Sequence, residues 1–340
     1  MLHASSLPLC RAYDLAILDL DGVVYRGPRA VTGAARHLSA ARGQGVRLAF
    51  VTNNASRPPE AVAEHLCRLD VPACPQDVVT SAQAAARLLY DVVRPGARVL
   101  LLGGPGLDVA LREEGFVPVT RLKDHPEAVV SGYGPDLPWW QVVQAAISIR
   151  AGLPWVAANA DLTIPTDGGV GPGHGCLVRM LQEFSGVVPA IAGKPSRSLI
   201  DETVSRLGGA RPLMVGDRLD TDILGAHNAG LDSMLVLTGV TGLPELVAAT
   251  PPERPTYLSS DLKGLLETHP AVTRPETGSA SGAWLATTTS GRLSVKGDGD
   301  VDDWWRCVAD AAWAHLDTTG QIVSTEGVVA PPAPAVTATR

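Results

Sequence analysis

No stretch of this sequence reaches the roughly 18 to 20 uninterrupted apolar residues that a membrane-spanning helix needs. The N-terminal "MLHASSLPLCRAYDLAIL" lacks the compact apolar segment and cleavage site of a secretory signal. Membrane insertion is therefore not expected, and the chain reads as cytoplasmic. Paired cysteines are missing as well. The five present, Cys10, Cys67, Cys74, Cys176 and Cys307, are odd in number, scattered, and form no CxxC pair, which argues against a disulfide framework or a zinc site. No Lys/Arg cluster stands out, and with a formal net charge of −7 the chain would repel a nucleic-acid backbone. HExxH and GxSxG are absent, so zinc hydrolysis and serine-esterase chemistry have no basis here. The glycine-rich "GGPG" (103–106) and "GGVGPGHG" (168–175) do not spell the dinucleotide pattern GxGxxG after a strand. These absences leave chemistry on a small molecule.

What is present is a foldable chain of 340 residues, 45% hydrophobic and 19% charged, long enough for two or three domains with real cores. From Leu15 to about Leu266 short β-rich runs alternate with segments of helical period, which predicts an α/β architecture with a largely parallel sheet. The strands expected are "LAILDL" (15–20), "VRLAFVT" (46–52), "ARVLLLG" (97–103), "EAVVSG" (127–132), "PWVAAN" (154–159), "PLMVG" (212–216) and "SMLVLTG" (233–239). Their near-continuous apolar character is that of strands buried on both faces. "SRPPEAVAEHLCRL" reads as a helix with prolines in its first turn, and "TDILGAHNAGL" as one ending at a C-cap glycine. After a Pro/Thr/Ser/Gly-rich stretch (250–282), "AWLATTTSGRLSVKG" reads as a hairpin. "DVDDWWRCVADAAWAHLD" then reads as an amphipathic helix with Trp305, Val308, Ala312 and Leu316 along one side. Trp284, Trp304, Trp305 and Trp313 read as core and contact residues. The final "PPAPAVTATR" is expected to be a mobile tail.

The chemistry begins at "LAILDLDGVVY" (15–25), where a buried strand stops at two carboxylates. Residues two apart in a strand point the same way, so Asp19 and Asp21 can both face the crevice beyond the strand's carboxyl end. At about 4 Å and an effective dielectric near 20 two such charges repel by roughly 4 kcal/mol. A hard divalent ion with oxygen ligands, Mg²⁺ most simply, resolves that cost. The competing reading is an Asp turn in which one carboxylate caps the next loop and Gly22 supplies a positive φ. "VTNN" (51–54) ends a second strand in groups able to donate to phosphate oxygens, or else in a helix-capping turn. "AGKPS" (192–196) puts Lys194 just before an expected proline-initiated helix. "MVGDRLDTD" (214–222) delivers Asp217 at a third strand end, with Asp220 and Asp222 following. A lysine there could simply be a solvated charge, and acidic residues in a first helical turn favourable dipole partners.

As an ordered set, "DLDGVVY", "FVTNNASRPPE", "AGKPS" and "VGDRLDTDI" resemble the four motifs of the haloacid dehalogenase superfamily, over about residues 13 to 266. They look most like its class IIA branch, the NagD and phosphoglycolate-phosphatase-like enzymes. The resemblance implies a Rossmann-like parallel-sheet core and a Mg²⁺-dependent phosphatase acting through an aspartyl-phosphate. It makes Asp19 the nucleophile and Asp21 the group that protonates the leaving alcohol and then activates water. Metal would be held by the Asp19 carboxylate, the Asp21 backbone carbonyl and Asp217. Thr52 and Asn53 would grip the phosphoryl oxygens, Lys194 would neutralise them, and Asp222 would orient metal-bound water or the lysine.

Some 140 residues separate the second and third motifs, more than one βα unit needs, so a second domain is expected there. The organisation this implies is a core at 10–82 and 188–268, an inserted α/β cap at 83–187, a small C-terminal α/β appendage at 271–325 and a flexible tail at 326–340. In the cap, "AANADLTIPTDGGVGPGHGCLV" (157–178) resembles the branch's "TNPD" loop and the stretch after it, with Ala158 where Thr is common. Asn159, Asp161 and His174 are the candidates there for contact with the leaving group. The alternative is a loop of capping polar residues and turn glycines. The appendage resembles the acetyltransferase-like domain on actinobacterial members of the branch, including their glycerol 3-phosphate phosphatases. It has no glycine-rich pyrophosphate loop, so packing or assembly is expected of it. The partner is then a small phosphorylated metabolite, glycerol 3-phosphate first and phosphoglycolate or sugar phosphates next, with a homodimer left open. The rivals are a phosphomutase or phosphotransferase, and a receiver-like signalling module, whose single domain leaves no room for a cap.

Overall fold

The computed structural model describes residues 1–166 and 168–332. The chain divides into two compact units, Met1–Ala49 with Gly208–Arg340, and Phe50–Leu207. Of the expected mobile tail, residues 333–340 lie outside the described residues.

In the first unit Leu15–Asp19, Pro212–Gly216, Asp232–Val236 and Tyr257–Ser259 lie side by side, all parallel. Leu15, Ile17, Leu213, Val215 and Leu235 are fully buried, as runs packed on both faces must be. Leu18 pairs with Val215 and Gly216 with Leu235, so three strands end at nearly one level. Arg47–Thr52 begins in this unit, where the Arg47 N–H donates to the Asp14 carbonyl at 3.1 Å. The segment after Pro212–Gly216 makes a π-helical turn, Leu219–Ile223, before the α-helix Leu224–Ala229, which ends at Gly230 with φ 73°. That glycine is the C-cap expected.

The C-terminal segment belongs to this unit. Ser279–Ser281, Trp284–Thr289 and Arg292–Lys296 form an antiparallel sheet packed on the helix Val301–Thr319. The hairpin and helix are as expected, but the helix is not a one-sided amphipath. Trp304, Trp305, Cys307, Val308, Ala309, Ala312 and Trp313 are all buried, while Leu316 is only partly so. The sheet covers one side of the helix, and the helix Leu243–Val247 packs on it as well. The Trp313 indole N–H donates to the Leu246 carbonyl at 2.8 Å, and Arg254 makes two 2.7 Å bonds to Asp317. Asp302 accepts from the Ser259 hydroxyl and the Ser260 N–H, both at 2.6 Å. Residues from Leu219 to Leu258 and from Ala286 to Val323 therefore share one apolar core.

In the second unit Phe50, Val51 and Thr52 pair in parallel with Val78–Thr80. A five-stranded parallel sheet runs in the order Ala190–Ile191, Trp155–Ala157, Ala128–Ser131, Arg98–Leu102, Val117–Val119. Helices Trp139–Arg150 and His174–Ser185 cover it through Val142, Ala145, Ile149, Val178 and Leu181. Two local expectations are corrected here. The helix after Lys194 begins at Ser198, not at Pro195, because a turn closed by Ser196 N–H to the Gly193 carbonyl (3.0 Å) comes first. The stretch 157–178 is not all loop: Thr163–Thr166 and Gly169–Pro172 form an antiparallel hairpin, and a helix opens at His174.

Candidate active site

Asp19 is the last residue of its strand, and Asp217 follows the last residue of the neighbouring one. Adjacent strands lie about 4.8 Å apart, so the register places the two carboxylates at one end of the sheet. Asp222 joins them from the π-helical turn. One oxygen from each of Asp19, Asp217 and Asp222 lies within 4.8 Å of the others, Asp19 half-buried and the other two buried. At that separation and an effective dielectric near 20 each pair of charges repels by about 3 kcal/mol. An all-oxygen, anionic and mostly buried donor set is what a hard divalent cation requires, so these residues fit a Mg²⁺ ion. Asp222 also holds the backbone, its Oδ2 accepting from the Asp217 N–H (3.2 Å) and the Arg218 N–H (3.1 Å). The Asp21 side chain is exposed and lies outside this trio. Asp220 is outside it too, and accepts from Arg218 in bonds of 3.0 and 2.7 Å.

Residues that the sequence reading passed over hold Asp217 in place. Its Oδ2 accepts from the Val240 N–H at 2.6 Å and its carbonyl from the Thr241 N–H at 3.2 Å. A Cβ on Gly239 would fall 1.7 Å from that Oδ2, and one on Gly22, where φ is +90°, would fall 2.4 Å from it. The signal available was a strand ending in Thr-Gly, "LVLTG", as "FVTNN" ends in Thr-Asn.

The second unit gathers the remaining candidates around Asn53. Its amide nitrogen donates to the Lys194 carbonyl (3.0 Å) and to Asp161 Oδ1 (3.2 Å), and its amide oxygen accepts from the Lys194 N–H (2.8 Å). Its carbonyl accepts from the Asn159 amide and the Ser81 hydroxyl, both at 2.6 Å. Thr52 Oγ1 accepts from the Asn54 N–H at 3.1 Å, which fixes the turn after the strand. Gly193 is required by close approach, since a Cβ there would lie 2.7 Å from Asn53 Oδ1. Lys194 is 2% exposed, so its ammonium is not a solvated surface charge.

His174 is buried, and its Nδ1 lies 2.8 Å from the Asn159 carbonyl, so Nδ1 carries the proton and donates. Burial pushes its pKa down to about 4, against the upward pull of that hydrogen bond, which leaves the imidazole neutral near pH 7. The helix that opens at His174 has Gly173 at its N-cap and no side-chain cap. Of Asn159, Asp161 and His174, only Asp161 is not buried.

Comparisons with known proteins agree with this geometry. Residues 16–117 match the family described as haloacid dehalogenase-like hydrolase, and residues 191–265 a HAD-hydrolase-like model. The chain is 43% identical over 315 residues to the D-glycerol 3-phosphate phosphatase of Mycobacterium tuberculosis, covering 90% of this chain and 87% of that one. It is 34% identical to an acid sugar phosphatase of Staphylococcus aureus, over 74% of this chain and 96% of the relative. A crystal structure of the M. tuberculosis glycerol phosphate phosphatase in complex with magnesium superposes with a TM-score of 0.83 at 42% identity, covering 92% and 93% of the two chains. With its carboxylates at the ends of parallel strands and this degree of likeness along nearly its full length, the chain belongs to the haloacid dehalogenase-like hydrolases.

Proposed function

We propose that this protein is a Mg²⁺-dependent phosphatase that hydrolyses a small organophosphate monoester, glycerol 3-phosphate first, through an aspartyl-phosphate on Asp19. The observation that carries the reading is the clustering of the Asp19, Asp217 and Asp222 carboxylates within 4.8 Å at one end of a parallel sheet. The 43% identity to a D-glycerol 3-phosphate phosphatase across 90% of the chain puts that substrate ahead of sugar phosphates.

In the proposed reaction Asp19 attacks phosphorus, a P–O bond to Asp19 forms, and the P–O bond to the alcohol breaks. Asp21, exposed just beyond the strand, donates a proton to the departing alkoxide. It then takes a proton from water as that water attacks the phosphorus, which frees Asp19 and releases phosphate. Asp19, Asp217 and the Asp21 carbonyl would hold the ion, which would supply positive charge to offset that of the phosphoryl oxygens. Thr52, Asn53 and Lys194 are assigned to those oxygens; the Asn53 amide is fixed before substrate arrives by its bonds to the Lys194 backbone, and Thr52 Oγ1 by the Asn54 N–H. Asp161 is the group we assign to the hydroxyls of the leaving alcohol, with Asn159 and His174 holding its loop. We assign 83–187 as the substrate-selecting cap, 10–82 with 188–268 as the catalytic core, and a cytoplasmic setting. Among the described residues no helix is long and apolar enough to cross a membrane.

Free phosphate released from a panel of phosphorylated metabolites tests the reading. Glycerol 3-phosphate should give the highest kcat/KM, and Asp19→Asn should lower it at least about 10³-fold, since an amide is a poor nucleophile. No release from any monoester with Mg²⁺ present would contradict it, as would an Asp19→Asn variant of wild-type rate.

A further inference from the structure

We infer that Thr238 is a positioning residue for the metal site, setting the turn after the nucleophile against Asp217. The inference rests on the metal-dependent reading above.

Thr238 lies two residues beyond the strand Asp232–Val236 and is 1% exposed. Its hydroxyl donates to the Gly22 carbonyl at 2.6 Å. Gly22 belongs to the turn that carries Asp19 and Asp21, and its own N–H is taken by the Tyr25 carbonyl at 2.7 Å. Gly239, the next residue after Thr238, and Gly22 both lie close against the Asp217 carboxylate. Val240 then donates its N–H to the same carboxylate oxygen, and Thr241 its N–H to the Asp217 carbonyl. The Arg26 guanidinium, from the segment after the nucleophile turn, reaches the Gly239 carbonyl at 3.4 Å.

Two glycine-bearing walls thus stand close against the Asp217 carboxylate, and the Thr238 hydroxyl ties one wall to the other. The walls can be this close only because neither glycine carries a Cβ. The root of the second wall is stiff, since Leu235 and Leu237 are buried in the core that contains Trp304, Trp305 and Trp313. Gly22 is buried, so without the Thr238 hydroxyl its carbonyl loses a partner that water does not readily replace. The turn is then free to move away from Asp217. Catalysis needs Asp19 and Asp217 at fixed separation, and small misplacements in such an arrangement are costly. Thr238 touches neither the phosphoryl group nor the ion in this account. It acts through Gly22 and the loop that grips Asp217.

The test is Mg²⁺ titration by calorimetry on the full-length protein, with Thr238→Val and Thr238→Ser, alongside phosphatase kinetics and thermal unfolding without metal. Valine keeps the shape and removes the donor. Its Mg²⁺ dissociation constant should rise about tenfold, equivalent to about 1.4 kcal/mol, with a matching fall in kcat/KM at low Mg²⁺. Serine keeps the donor and should restore both to within about threefold. Mg²⁺ binding by Thr238→Val equal to wild type would overturn the inference, even with a lowered melting temperature, because a purely structural threonine would behave that way. The serine arm stands alone if the valine protein does not fold: a folded Thr238→Ser protein that has lost Mg²⁺ affinity tenfold would also overturn it. Asp217→Asn separates this inference from the metal reading. If that variant binds Mg²⁺ normally the metal reading fails, and if it alone loses Mg²⁺ while Thr238→Val does not, only the role of Thr238 fails.

Discussion

Acidification should weaken the second unit through a single buried imidazole. His174 has a pKa of about 4 in the folded protein, lowered by burial, against about 6.5 in an unfolded chain. Between these values the unfolded state binds the extra proton and the folded state does not, so stability falls as pH drops through 6.5 and stops falling near 4. The full gap of about 2.5 units corresponds to about 3 kcal/mol, of which about 2 kcal/mol is lost by pH 5. His174→Gln removes the titrating group. At pH 8 it should be less stable than wild type, because the Asn159 carbonyl loses its 2.8 Å donor. At pH 5 that disadvantage should have shrunk by about 2 kcal/mol or reversed. Urea unfolding of both proteins at the two pH values measures this as a difference of differences, in which the other buried histidines, His37 and His269, cancel. A wild-type-to-glutamine gap that stays constant between pH 8 and pH 5 would refute the argument, as would an NMR titration placing the His174 midpoint near 6.5.

Trp313→Ala should cost about 3–5 kcal/mol, the usual range for emptying a buried tryptophan site. It should lower the unfolding midpoint of the Asp19 unit itself, because Trp313 packs in the same core as Leu246 and Leu258. A separate, earlier transition that leaves the midpoint for loss of phosphatase activity unchanged would show the C-terminal segment to be an independent module. Lys194→Met should keep the fold and lower kcat/KM about 10²-fold or more, as removal of a preorganised charge does, and unchanged kinetics would remove Lys194 from the site.

The seven strands expected from the sequence are all strands, six within a residue or two at each end and the seventh, "SMLVLTG", stopping three residues early at Val236, because runs such as "PLMVG" and "LAILD" are apolar enough to be buried on both faces. Two of the three clustered carboxylates, Asp19 and Asp217, were legible for a related reason: a charge that directly ends such a run has little structural excuse, whereas Asp222, in the turn Leu219–Ile223, was legible only through the motif resemblance. Other features left no comparable trace. The strand Val117–Val119 has a proline at its centre and lies at a sheet edge, where the missing N–H does no harm. The paired strands Thr163–Thr166 and Gly169–Pro172 are made of Thr, Ile, Pro, Gly and Val without a clean alternation. Thr238, Gly239 and Val240 escaped notice because two of them act through backbone N–H and the lack of a Cβ, which a residue-type pattern does not encode. The helix Val301–Thr319 shows why periodicity misleads when an element has neighbours on more than one side. Its second buried face, with Trp304, Cys307 and Ala311, reads on paper as a deviation from the stripe.

The most direct test of the account is where the phosphoryl group goes. With 4-nitrophenyl phosphate, whose phenolate leaves without a proton, Asp21→Asn should slow hydrolysis of the intermediate more than its formation, because an amide cannot take a proton from water. Full-length Asp21→Asn protein, mixed with 4-nitrophenyl phosphate and Mg²⁺ and quenched in acid, should then yield one phosphoryl group on the peptide containing Asp19 in peptide mass spectrometry. A phosphoryl group on any other residue, or none there while phosphate release continues at the wild-type rate, would contradict the account.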